Sequence, residues 1–239
     1  MLIAGTAAGL GFFHTLIGPD HYLPFIVISR ARSWSVFKTA VVTLLCGIGH
    51  VLSSVILGLV GIALGAAVFK LEAIESIRGE IAAWLLIAFG FTYFVWGVHR
   101  AIRNKPHEHL HAHAGGELHT HPHGHVQEHA HVHDAGSSAD TRASYKALTP
   151  WILFIIFVFG PCEPLIPLIM YPAAKGNILS VAFVALVFGA ATITTMLAIV
   201  LSSAYGLSKL PLHRLERYSH ALAGLAILLC GGAIKFLGL

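Results

Sequence analysis

The chain has 239 residues, of which 56% are hydrophobic and only 11% are charged. This composition excludes an ordinary soluble domain and indicates an all-α polytopic membrane protein. The formal net charge of +4 does not predict a nucleic-acid partner, because lysine and arginine in membrane proteins concentrate in cytoplasmic loops. The three cysteines lie far apart inside apolar segments, which argues against a disulfide-stapled ectodomain.

Six apolar segments follow one another, and each is long enough to cross the hydrocarbon core, which needs about 20 helical residues. The first segment has no basic region before it and no clear cleavage site, so we expect a retained first helix and not a signal peptide. We therefore predict six transmembrane helices that are embedded in the lipid bilayer. The segments are residues 2–28, 39–69, 80–102, 148–172, 177–206 and 219–238.

The first segment contains a helix-breaking pair directly in front of two ionisable residues. Pro19 has no amide proton and follows Gly18, so the helix should break there and leave backbone groups facing a cavity. Asp20 and His21 come next, at a depth where a charged group costs roughly 2.5 kcal/mol or more. A broken helix with ionisable residues at its break predicts an ion site of the kind found in transporters.

An internal repeat appears when the sequence is shifted by 142 residues. Gly18-Pro19-Asp20-His21 then falls on Gly160-Pro161-Cys162-Glu163. Two halves of three helices, with helices 1 and 4 broken at Gly-Pro, should be inverted relative to each other. The predicted organisation is a first repeat at 1–102, a histidine-rich loop at 103–147 and a second repeat at 148–239.

Positive charges predict the orientation of the chain. With six spans, eleven lysines and arginines fall on one side and four on the other. The positive-inside tendency makes the richer side cytoplasmic. We therefore expect an inner- or plasma-membrane protein with both termini outside and the histidine-rich loop inside.

Candidate metal ligands surround the first break. His14 and His21 are seven residues apart, which places them on one helix face or lets them converge if the helix unwinds. Imidazoles with the carboxylate of Asp20 suit Ni²⁺, Co²⁺ or Zn²⁺ better than alkali ions. His50 follows Gly47 and Gly49, and such small residues allow the close helix approach that would bring His50 to the break.

The second break supplies two further candidates. Glu163 is a candidate ligand, proton carrier or charge partner of His21, and Cys162 is either a soft ligand or a small apolar filler. The histidine-rich loop predicts metal capture or buffering by composition, because imidazole is the commonest protein metal ligand. Its eleven histidines are His107, His109, His111, His113, His119, His121, His123, His125, His129, His131 and His133.

The motifs H14-T-L-I-G-P-D-H21, G49-H-V-L-S-S54 and F159-G-P-C-E-P164 together resemble the nickel/cobalt transporter superfamily. The resemblance is to its urease-accessory-like and chloroplast-type nickel permeases, with a histidine-rich loop similar to that of nickel/cobalt efflux proteins. It implies a secondary transporter that moves a divalent cation by alternating access. The residues that would select the metal are His14, Asp20, His21 and His50, with Glu163 as an additional ligand. Five residues separate His14 from Asp20, where the best-known uptake permeases have four.

The expected cargo is Ni²⁺ or Co²⁺, with Zn²⁺ and Fe²⁺ as further candidates and a cytoplasmic metallochaperone as a partner. No permanently bound cofactor is expected.

One alternative is a membrane thiol-redox carrier of the cytochrome-biogenesis type, although Cys162 matches Asp20 and not a second cysteine in the repeat. Another alternative is an exporter of a small anion such as sulfite, although the carboxylates of Asp20 and Glu163 would repel an anion. An enzyme is not predicted, since the chain has no His-Glu-x-x-His metalloprotease motif.

Overall fold

The computed structural model describes residues 2–65, 67–103, 107–112, 118–123, 139–208 and 213–238. These residues form α-helices, two short 3₁₀ helices at Pro19–His21 and His213–Tyr218, and one two-stranded sheet. The α-helices are α1 (Leu2–Ile17), α2 (Leu23–Ala31), α3 (Val36–Ala63), α4 (Val68–Arg103), α5 (Ala139–Phe159), α6 (Leu165–Ala174), α7 (Ile178–Ser208) and α8 (Ser219–Leu237).

Four helices in the described residues are long and apolar enough to cross a membrane by themselves: α3, α4, α7 and α8. A fifth span is formed if α1 is joined to Pro19–Ala31, although the two pieces meet at 85°. Leucines and phenylalanines such as Leu52, Phe91 and Leu229 face outward on these helices. The protein is therefore an integral, polytopic membrane protein.

The prediction of six membrane-crossing helices in two inverted repeats is not supported. Its second broken helix consists of two short apolar pieces, Leu148–Phe159 and Leu165–Ala174. Twelve and ten residues reach only about 18 Å and 15 Å, whereas the hydrocarbon core is about 30 Å thick. Pro161 and Pro164 lack amide protons and keep the pieces apart. The breaks themselves do occur at Gly18-Pro19 and Gly160-Pro161, as predicted.

Helices α4 and α8 pack against each other through glycines spaced seven residues apart on each helix. A Cβ atom at Gly90 would overlap the backbone of Leu228, and one at Gly224 would overlap the backbone of Phe94. Small residues that allow backbones to touch are the usual basis of helix association in lipid. This pair, which also uses Gly97 and Gly231, is the most tightly packed part of the bundle.

The interior contains two apolar clusters. One surrounds Phe25, Met196 and Ile227, and it includes Cys46 and Cys230. The other surrounds Phe188 and Leu165, and it includes Cys162. The two breaks in the helices lie beside these clusters, so the polar residues at the breaks are held between packed apolar layers.

The histidine-rich segment contains a β-hairpin, β1 (His107–Ala112) paired antiparallel with β2 (Leu118–His123). The predicted all-α membrane part is confirmed, and only the expectation of a structureless loop in this segment is corrected. The alternation H-x-H has a period of two, which favours a strand. The register places three histidine positions opposite three others: His107 with His123, His109 with His121 and His111 with His119. His113, His125, His129, His131 and His133 lie outside the described residues, and metal buffering by this segment stays a prediction.

Candidate functional site

The first break is a tight turn that brings a carboxylate and an imidazole together. The last helical hydrogen bond of α1 runs from Gly18 N to His14 O (3.1 Å), and Pro19 then starts a 3₁₀ turn. A Cβ atom at Gly18 would lie 2.6 Å from His21 Nδ1 and 2.8 Å from Asp20 Oδ1. Only glycine therefore permits the side chains of Asp20 and His21 to fold back over the turn.

His21 is buried and has its ring fixed by two acceptors. Its Nδ1 lies 3.1 Å from the carbonyl oxygen of Gly18 and 3.0 Å from Asp20 Oδ1. A carbonyl cannot donate a hydrogen bond, so Nδ1 carries the proton and donates it. The Nε2 atom is buried and has no partner. It presents an unused lone pair, and carboxylate support of this kind is typical of metal-binding histidines.

His50 has the same arrangement on α3. Its side chain is only 2% exposed, and its Nδ1 lies 3.2 Å from the carbonyl oxygen of Phe157 on α5. Because that oxygen is an acceptor, Nδ1 is the donor and Nε2 carries the lone pair. His50 Nε2 is also buried without a partner.

The structure brings four of the predicted residues into one cluster. The ring centroids of His14 and His21 are 4.6 Å apart, and those of His21 and His50 are 5.0 Å apart. Cys162 Sγ lies 3.9 Å from His14 Nε2. One donor atom each from His14, His50 and Cys162 lies within 4.8 Å of the others. Imidazole and thiolate donors at this spacing fit a transition-metal ion of the Cu⁺ or Zn²⁺ type.

The two predicted carboxylates have different places. Asp20 has a side chain 30% exposed and holds His21 from the edge of the cluster. Glu163 is exposed and lines the cavity that leads to the histidines, outside the group of close donor atoms. Cys162 is buried in an apolar cluster and its sulfur lies 3.9 Å from His14 Nε2, so both the ligand and the apolar-filler interpretation stay predictions.

A cavity of about 520 Å³ leads from one end of the bundle to this cluster. Its lining includes Asp20, His21 and His50 of the site, and also Glu80 and Lys235. The Glu80–Lys235 ion pair joins α4 to α8. The antiparallel α4–α8 pair places this opening at the end away from Arg100 and His220, which hydrogen bond to each other (3.2 Å). The cluster is therefore accessible from one end of the bundle.

A buried ion pair beside the cluster was not anticipated from the sequence. Glu75 is completely buried on α4, and Arg78, three residues later, is its salt-bridge partner. In the predicted topology, Arg78 lies on the membrane side that has fewer lysines and arginines. The third apolar segment was expected to begin at residue 80, after both residues of the pair. The available signal was an acid and a base at i and i+3, a spacing that places both on one helix face.

Comparison with known proteins assigns the family. The family described as "Cytochrome C biogenesis protein transmembrane region" matches residues 23–233. The chain belongs to this family. No curated protein and no solved structure matches the chain. His50, Glu75 and Cys162 lie within the range that matches the cytochrome c biogenesis transmembrane family, whereas His14, Asp20 and His21 precede it.

The resemblance to the nickel/cobalt transporter superfamily is therefore wrong. It depended on three short motifs, and two of them contain a Gly-Pro break, a feature that any interrupted membrane helix can use. The match to the cytochrome c biogenesis family extends over most of the chain. It favours the thiol-redox alternative over a nickel/cobalt permease, and it lends no support to nickel or cobalt as cargo.

Proposed function

We propose that this membrane protein binds a transition-metal ion of the Cu⁺ or Zn²⁺ type in the middle of its helical bundle and exchanges it with the cavity. One observation carries the proposal: two buried imidazoles, His21 and His50, have Nδ1 engaged with acceptors and leave Nε2 without a partner. A buried polar atom without a partner is costly, so such atoms call for an explanation. A cation held by the close donor atoms of His14, His50 and Cys162 would give the lone pair of His50 a partner, with His21 beside the same group.

Cys162 supports a soft or borderline metal. Its sulfur lies 3.9 Å from His14 Nε2, and the residue is fully buried. Thiolate ligands select Cu⁺ and Zn²⁺, and imidazole suits both ions, whereas alkali and alkaline-earth ions prefer oxygen. The cavity beside the cluster is lined by Asp20 and Glu163 as well as by apolar residues, and these two carboxylates would attract a cation.

Metal binding by the purified protein tests this proposal. We expect the chain to bind Zn²⁺ or Cu⁺ at one site, and Co²⁺, as a spectroscopic stand-in for Zn²⁺, to show a thiolate-to-metal charge-transfer band. Cys162→Ser should abolish the band and weaken Zn²⁺ binding by roughly tenfold or more, by analogy with losses at metal sites. Residues 107–133 should be deleted in both proteins so that the histidine-rich segment does not contribute.

Cys46→Ala is the matched control. Cys46 is equally buried, but it lies in the other apolar cluster. Its substitution should leave the charge-transfer band and the Zn²⁺ affinity unchanged. If the protein that lacks residues 107–133 but is otherwise unchanged binds neither Zn²⁺, Cu⁺ nor Co²⁺, the proposed function is wrong.

A thiol-redox carrier is the second candidate function, and family membership together with Cys162 at a helix break favours it. All three cysteines belong to the described residues and are free. Cys46 and Cys230 share one apolar cluster and Cys162 belongs to the other. In a relay the Cys162 thiolate would therefore attack a disulfide of a partner, form a mixed disulfide with one of its sulfurs and release the other sulfur as a thiolate. Under this function, oxidation should trap a mixed disulfide at Cys162, and His50→Asn should leave that trapping intact.

A further inference from the structure

The buried ion pair Glu75–Arg78 lies beside the second helix break and contacts both of its ends. Arg78 Nη2 donates to the carbonyl oxygens of Val158 (2.8 Å) and Gly160 (3.4 Å). Glu75 Oε2 accepts from the backbone N–H of Cys162 (3.2 Å). The pair is therefore bonded to the backbone immediately before and immediately after Pro161.

These contacts replace one missing helical hydrogen bond. In a continuous helix the N–H of Cys162 would donate to the carbonyl oxygen of Val158, four residues earlier. The break separates these two groups, and neither can be left unpaired in an apolar interior. The carboxylate of Glu75 accepts a hydrogen bond from the N–H of Cys162, and the guanidinium of Arg78 donates one to the carbonyl oxygen of Val158. The two side chains also form an ion pair with each other.

The same guanidinium also holds the helix that carries His50. Arg78 donates to the hydroxyl oxygens of Ser53 (2.7 Å) and Ser54 (3.3 Å) on α3. Ser53 in turn donates to the carbonyl oxygen of His50 (2.8 Å). One side chain on α4 thus links the turn that bears Cys162 to the helix turn that bears His50.

Close packing prevents this part of α4 from shifting relative to the break. A Cβ atom at Gly79 would lie 2.9 Å from Pro161 Cγ, so a side chain at this position would push α4 away from the break. Glu75 is 0% exposed, so its contacts are shielded from bulk water.

We propose that Glu75 and Arg78 are positioning residues that fix the Cys162 thiol at its distance from His14 and His50. Neither residue belongs to the cluster of close donor atoms. Both act through the backbone of residues 158–162. The positioning itself is independent of what the cluster binds, but its consequence for metal affinity rests on the function proposed above.

The test uses the full-length protein with Cys46 and Cys230 replaced by alanine, so that Cys162 is the single thiol. The test variants are Glu75→Gln and the double variant Glu75→Gln/Arg78→Gln, which leaves no buried charge unpaired and keeps the protein testable if the single variant does not fold. We expect alkylation of Cys162 by a maleimide to become at least tenfold faster in both. Glu72→Gln, at an exposed acid on the same helix, is the control and should change nothing.

A second measurement separates positioning from general loosening. In the double variant, Co²⁺ bound after removal of residues 107–133 should lose its thiolate charge-transfer band but keep its imidazole ligands, with the thermal transition still cooperative. If alkylation and the Co²⁺ spectrum of the double variant both stay within twofold of the parent, the positioning role is wrong. If the parent binds no metal, the proposed function fails, and the alkylation rates alone decide the role of Glu75 and Arg78.

Discussion

Replacing His50 by asparagine is expected to abolish most metal binding while the fold persists. The asparagine amide can still donate to the carbonyl oxygen of Phe157, as His50 Nδ1 does, but the Nε2 lone pair is lost. If about 10–16 kcal/mol of metal binding is shared among the three close donor atoms of His14, His50 and Cys162, the loss should be on the order of 100-fold or more in affinity. Competition titration with a chromophoric Zn²⁺ chelator measures it, after residues 107–133 have been removed.

His99→Asn is the matched control for His50→Asn. His99 is a histidine in a membrane-spanning helix, but it is exposed on α4 and does not line the cavity. Its substitution should leave the Zn²⁺ affinity within twofold of the parent. A His50→Asn protein that binds Zn²⁺ as tightly as the parent would show that His50 is only a hydrogen-bonding link between α3 and α5.

Gly224→Leu is expected to cause the largest loss of stability. A Cβ atom at Gly224 would overlap the backbone of Phe94, and backbone cannot move aside as a flexible side chain can. Overpacking a tight interior typically costs about 1–3 kcal/mol, and separating the α4–α8 contact also disturbs the Glu80–Lys235 ion pair at the cavity. Thermal unfolding in detergent, followed by size-exclusion chromatography, should show a lower midpoint or loss of the monodisperse peak.

Gly232→Leu tests whether the loss of stability comes from the contact between α4 and α8 or from any glycine-to-leucine change on α8. Gly232 lies on the same helix, and no atom lies within 4 Å of a Cβ placed there. This variant should unfold at nearly the parent temperature. Equal losses for Gly224→Leu and Gly232→Leu would contradict the packing explanation and indicate that any bulky residue on α8 is harmful.

The sequence predicted where the helices break better than it predicted how many helices cross the membrane. Gly-Pro pairs determine a helix break locally, so the breaks at Gly18 and Gly160 were found without knowledge of the packing. The seven-residue spacing of His14 and His21 and the small residues before His50 were the grounds for expecting these histidines to converge. The number of crossing helices was wrong because hydropathy counts apolar residues across a break, whereas each helix next to the second break is too short to cross alone.

The residues that hold the break were missed for a different reason. Glu75 and Arg78 lie within a helix that begins at Val68, but their charges made the segment before residue 80 read as a loop. Which backbone groups at Val158 and Cys162 would need partners depends on the three-dimensional course of the break. That course is set by contacts between helices 80 residues apart in sequence, and local patterns contain no record of it.

The length of α4 has a consequence for how the protein sits in a bilayer. Its 36 residues form a rod of about 54 Å, nearly twice the hydrocarbon thickness of about 30 Å. Even a steep inclination of about 40° leaves a vertical reach of about 41 Å. At least about 10 Å of this rod must then stand among lipid headgroups or in water. A thicker membrane would draw more of it inside, so bilayer thickness is a variable to which this protein should respond.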